Sequence, residues 1–73
     1  MPKIPALKPE EIEGLLISHG FFFSRQKGSH KRYKHVDGRS ATLAFHKGRD
    51  ISPVMLRLIC KEINMSVELF LGK

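Results

Sequence analysis

Four histidines are the acid–base candidates in this 73-residue chain, and one of them stands in a distinctive setting. His30 lies in the run Lys27-Gly28-Ser29-His30-Lys31-Arg32, with Lys34 two residues further on. A neutral imidazole can take the proton of a ribose 2′-hydroxyl, and the 2′-oxygen then attacks the adjacent phosphate without any metal. Neighbouring cations would bind that phosphate and stabilise the negative charge developing on its oxygens. A glycine ahead of the histidine allows close backbone approach. His30 is therefore a candidate catalytic residue, with Lys27, Gly28, Ser29, Lys31, Arg32 and Lys34 as candidate contacts to RNA or phosphate. The same residues also read as an exposed strand histidine beside a basic patch, so on composition a non-catalytic RNA-binding module stays open.

The remaining histidines have weaker credentials. His46 is the candidate second acid or base, protonating the leaving 5′-oxygen, though it reads more readily as a polar residue at a strand end. His35 is expected to face outward near a turn. His19 closes a helix, where its charge would suit the dipole. There is no HExxH pattern, no paired cysteine and no carboxylate pair, so neither a metal site nor a cofactor is expected. The single cysteine, Cys60, excludes an intramolecular disulfide and falls in an apolar helical stripe, as a core residue would.

Charge supports a polyanionic partner. Lys and Arg number 13 against 7 Asp and Glu, giving a net charge of +6. Between Arg25 and Arg49 lie eight cations and one acid, Asp37, so the middle third carries the excess. Such segregation draws phosphates, or an acidic protein, and raises encounter rates. A protein-interaction domain for an acidic partner is thus a third reading. No apolar run approaches the roughly 18 residues of a membrane span, and the N-terminus lacks the pattern of a signal peptide. A cytoplasmic chain with no membrane partner is expected.

These residues must be positioned by a single small domain, residues 1–73. Residues 1–7, with two prolines, read as an extended arm. Pro9 can open a first helix running to His19, with Glu10, Glu11 and Glu13 at the positive end of its dipole, Ile12, Leu15 and Leu16 on its apolar face, and Gly20 as its stop. Three strands follow, over Phe21–Lys27, His30–Val36 and Ser40–His46, joined at Gly28-Ser29 and Asp37-Gly38. Ser52-Pro53 starts a second helix whose Leu56, Ile59, Cys60 and Ile63 share one side. Ser66 caps a short third helix, Val67–Leu71. The order predicts an α+β fold: a three-stranded antiparallel sheet with helices packed on one face and the other face open.

Strand parity sharpens this. Tyr33 is the large apolar residue inside the second strand, so it should share a face with Leu43 and Phe45. A two-residue Asp37-Gly38 hairpin would put Tyr33 and Leu43 on opposite faces. An odd-length loop or a glycine bulge is therefore predicted. It leaves His30, Arg32 and Lys34 on the open face with Thr42 and His46, and should bring His30 and His46 near one another.

Arg25-Gln26-Lys27-Gly28-Ser29-His30, followed by Tyr33, Asp37-Gly38 and a strand ending in His46, resembles the HicA toxins of bacterial and archaeal toxin–antitoxin systems. So do the Gly20-Phe21 exit of the first helix and the Ser-Pro-capped helix before a short one containing Phe70. The resemblance runs from about Leu7 to Leu71. It implies a fold like that of a double-stranded-RNA-binding domain, and a toxin that cleaves mRNA with the histidine of the Gly-Ser-His signature, here His30. It also implies a HicB-type antitoxin covering the active face. Two features depart from the pattern: Ala44 stands where many relatives have proline, and the loop after His46 reads Lys47-Gly48-Arg49-Asp50 in place of a second glycine and a Lys-Glu pair. A basic sheet offers no apolar dimer face, so the free chain is expected to be a monomer.

Overall fold

Pro9 has no amide proton to leave unpaired, so it opens the first helix, α1 (Pro9–Ser18), without cost. The Glu11 carboxylate accepts from the Lys8 backbone N–H at 3.0 Å and ties down that end. The computed structural model describes residues 6–46 and 48–72. Most of the predicted arm, and Lys47 of the predicted loop, lie outside that range. Leu7 pairs with Ile51 in an isolated antiparallel bridge.

At its far end α1 closes in a Schellman arrangement: Phe21 N donates to Leu16 O and Gly20 N to Ile17 O, each at 3.0 Å. Gly20 has φ +90, and a Cβ there would stand 2.8 Å from His35 Nε2. Only glycine meets both conditions. Strands β1 (Phe22–Lys27), β2 (His30–Lys34) and β3 (Ser40–Ala44) follow, then α2 (Pro53–Glu62) and α3 (Val67–Leu71). The Ser52 and Ser66 hydroxyls accept from Met55 N and Leu69 N, capping α2 and α3 as expected. Asn64, at φ 56, ends α2 in a second Schellman arrangement, with Met65 N donating to Cys60 O at 2.9 Å.

The sheet is antiparallel in the order β1-β2-β3. Tyr33 pairs with Ala41, which puts it on the face of Leu43, as the parity argument requires. The loop is odd: His35 N donates to Arg39 O at 2.9 Å, enclosing Val36, Asp37 and Gly38. Asp37 holds it with Oδ1 accepting from Arg39 N at 3.0 Å and Oδ2 from Arg39 Nε at 2.7 Å. These bonds end β2 at Lys34, two residues before the predicted limit. β3 likewise stops at Ala44, two residues before the predicted limit.

The core lies between the sheet and the helices. Ile12, Leu16, Tyr33, Leu43, Leu56, Ile59, Ile63 and Phe70 are almost fully buried in it, with Cys60 beside them. The fold is the predicted α+β type, like a double-stranded-RNA-binding domain, with one sheet face left open. Among the described residues no helix is long and apolar enough to cross a membrane.

Candidate active site

The open face is built from the alternate residues of each strand. On β2 these are His30, Arg32 and Lys34. β1 sets Lys27 opposite His30 and Arg25 opposite Arg32, the pairing resuming after an irregularity between Phe23 and Arg25. β3 contributes Ala44, Thr42 and Ser40, opposite His30, Arg32 and Lys34. His30 therefore starts the central strand with a lysine on one side and a small alanine on the other. The ring is exposed. Arg32 is oriented by a bond from Nη2 to Ser40 Oγ at 3.2 Å.

The Gly28-Ser29 turn fixes His30 in place. Gly28 has φ +59 and Ser29 does not share the left-handed region, the φ pattern of a type II′ hairpin turn, which takes glycine first. The Gln26 side-chain amide donates to Gly28 O at 2.9 Å. Phe45 N donates to Ser29 O at 2.7 Å, so the chain leaving β3 braces the same turn. The backbone leading into His30 is thereby held in place.

The structure does not gather every predicted residue on this face. Lys31 points the other way, toward the helices. Its Nζ lies 3.3 Å from Glu13 Oε2 and 3.8 Å from the centroid of the Phe45 ring. The cause is alternation: a strand reading His-Lys-Arg-Tyr-Lys with Tyr33 in the core must send Lys31 to the core side too. By its sequence position Glu13 has a place only at the helix dipole, and the structure makes it a partner of Lys31. It also accepts a short hydrogen bond from the Tyr33 hydroxyl. Burial first, and then this bond, raise the Tyr33 pKa above its ordinary value. The signal was present: an acid within the apolar face formed by Pro9, Ile12 and Leu16 asks for a cation or a hydroxyl opposite.

The other histidines also find their places. His46 lies two residues past Ala44, beyond the strand, so Ala44 and not His46 faces His30. His35 does not face outward. It is half-buried against Gly20 and edge-on to Phe21, and its Nδ1 accepts from Asp37 N at 3.1 Å. A bare glycine beside it leaves room that the turn position alone did not suggest. His19 stacks on Phe70, with Nε2 2.9 Å from the Phe70 carbonyl oxygen. Cys60 is buried, and burial pushes its thiol up, away from the reactive thiolate. The Arg39 backbone N–H and guanidinium hold the Asp37 carboxyl below its usual range, so the one acid of the basic third is engaged by its own neighbour.

The family profile described as "HicA toxin of bacterial toxin-antitoxin" matches residues 9–65, most of the chain. The chain belongs to the HicA toxin family. The matched stretch takes in the whole sheet, the Gly-Ser-His turn and the full length of α1 and α2. Membership makes this HicA chain a toxin of a toxin–antitoxin system, with an antitoxin as its counterpart. No curated protein gives a match. Among the described residues of the toxin, no three His, Cys, Asp or Glu side chains come together as metal ligands would.

Proposed function

We propose that this toxin is a metal-independent endoribonuclease that cleaves mRNA with His30 as its acid–base group. The supporting observation is the placement of His30 at the braced start of the central strand, exposed, with Lys27 across from it and Arg32 next along the same face. In the reaction, His30 removes the proton of a ribose 2′-hydroxyl. The 2′-oxygen forms a bond to phosphorus, the bond from phosphorus to the 5′-oxygen breaks, and the leaving oxygen takes up a proton. The products are a 2′,3′-cyclic phosphate and a free 5′-hydroxyl. His46 is the candidate donor of that last proton. Lys27 and Arg32, with Lys34 and Arg25 further along, hold the phosphate and stabilise its added charge. Lys31, committed to Glu13, is left out of this set.

The same reading makes a HicB-type antitoxin the partner that covers the open face, with the free toxin a cytoplasmic monomer formed by one domain. The deciding experiment is cleavage of end-labelled single-stranded RNA in excess EDTA, beside a His30→Ala variant. One acid–base side chain is worth about 10²–10⁴-fold in rate, so the variant should be inactive on the assay's timescale yet folded. Equal cleavage by both proteins overturns the role of His30. Salt-sensitive RNA binding without cleavage by either makes the protein an RNA-binding module.

A further inference from the structure

Beside the open face, past the end of β3, lies a cleft of about 180 Å³ whose residues, His46 apart, have no part in the chemistry above. Its walls include Ala44, Ile51 and Met55, with Arg49, Asp50 and His46 among its lining. We infer that this cleft is a base-recognition subsite, taking the purine base, guanine before adenine, of a nucleotide flanking the scissile phosphate.

Position comes first. Ala44 lines the cleft and is also the cross-strand partner of His30. The cleft therefore begins one strand spacing, about 5 Å, from the His30 backbone. A ribose presented to the His30 ring carries its base outward across β3, over the small Ala44 side chain. Size comes second. Sites for whole drug-sized ligands run about 300–1,000 Å³, so this cleft admits a ring system and leaves sugar and phosphate outside on the basic face. Chemistry comes third. Apolar walls from Ile51 and the part-exposed Met55 suit a flat ring, and polar groups at its edge suit the ring's polar rim. A guanidinium such as Arg49 donates two parallel bonds to the O6 and N7 acceptors of guanine, where adenine offers one acceptor and one donor. Single-stranded RNA leaves that edge free to be read.

The cleft is also held in shape. Ile51 N donates to Leu7 O at 2.6 Å, Lys8 Nζ meets Asp50 Oδ1 at 2.6 Å, and the same ammonium donates to Gly48 O at 3.3 Å. The chain just before α1 thus straps the 48–51 segment against the domain.

This inference rests on the nuclease reading for its orientation, and two measurements separate the fates of the two. In the first, methyl NMR of the full chain is followed while guanosine, adenosine, cytidine or uridine 3′-monophosphate is added, with inorganic phosphate as control. Saturable shifts at the Met55 and Ala44 methyls, tightest for the guanosine nucleotide and about tenfold weaker in Arg49→Ala, are expected. Equal responses to all four nucleotides, or the same response to phosphate alone, overturn the subsite. In the second, cut sites on a mixed-sequence RNA are mapped for wild type and Arg49→Ala. A guanine preference next to the cut that the variant loses supports the subsite. Cleavage whose base preference Arg49→Ala leaves unchanged overturns it and leaves the nuclease standing. Guanylate-specific shifts at Met55 in a chain that cuts no RNA keep the cleft and remove the nuclease.

Discussion

Removal of Glu13 tests the core side of the sheet. Its carboxylate accepts from the hydroxyl of Tyr33, a residue with no exposed surface, and faces the Lys31 ammonium at 3.3 Å. Glu13→Ala strands the phenol without a partner, which costs about 1–3 kcal/mol. The Lys31 pair is half-buried and adds no more than about 1 kcal/mol. A loss near 2 kcal/mol is expected, out of the roughly 4–11 kcal/mol available to a domain of this length. In melting temperature that is about 8–16 °C. The assay is urea unfolding of wild type, Glu13→Ala, Tyr33→Phe and the double variant. Once the hydroxyl is gone, Glu13→Ala should cost only the small Lys31 share, so the cycle should return a coupling of about 1 kcal/mol or more. Glu13→Gln keeps an acceptor for Tyr33 and should cost less than Glu13→Ala. A Glu13→Ala penalty below about 0.5 kcal/mol, or one unchanged in the Tyr33→Phe background, refutes the reasoning.

Gly20→Ala should destabilise the fold by about 1–3 kcal/mol, because it forces a side chain into the left-handed region and against the His35 ring. Thermal unfolding reads this directly, and an unchanged midpoint would disprove the close approach. Tyr33 keeps its proton to higher pH in the folded chain than in the unfolded one. Above the ordinary phenol value of about 10, the unfolded state therefore holds fewer protons and stability falls as pH rises. Tyr33→Phe should flatten that fall when urea midpoints are compared on either side of pH ~10; an identical slope in both proteins would count against it. On the open face, Lys27→Ala and Arg32→Ala should each weaken RNA binding and lower the salt slope by about 0.7 for each phosphate no longer neutralised. Lys31→Ala should leave the slope alone and reduce stability instead, and the reverse pattern would overturn the assignment of faces.

The elements were legible because their boundaries are marked by residues with few alternatives. Pro9 and Ser52-Pro53 can begin helices, Gly20 can end one, and Gly28-Ser29 admits a tight hairpin. The parity of β2 and β3 followed from a conflict that only an odd loop resolves, and the loop from Val36 to Gly38 is odd. What stayed hidden depends on interactions between distant segments. The Asp37 bonds to Arg39 end β2 early, and nothing in the propensity of His35 or Val36 signals them. His35 is drawn inward by the space over Gly20, fifteen residues upstream. Adjacency to His30 in sequence places Lys31 among the phosphate-binding candidates. In a strand adjacency means opposite faces, so the parity that exposes His30 removes Lys31 from its side.

That parity links the site to the stability of the fold. β2 carries a single large apolar residue, and Tyr33 must face the helices if the sheet is to have a core at all. The offset of three between His30 and Tyr33 then puts the histidine on the open face, with Arg32 and Lys34 placed relative to it. The cost of a strand so rich in cations falls on Lys31, which must face the core side. Glu13 offsets that cost with a carboxylate, and the face of the Phe45 ring beneath the ammonium attracts it as well. The open face has no such acid among its paired strand residues: Lys27, Arg25, Arg32 and Lys34 stand together with Ser40, Thr42 and Ala44. Like charges so placed repel and lower stability. One side of the same strand is thus neutralised where burial demands it, while the other keeps its charge exposed along the open face.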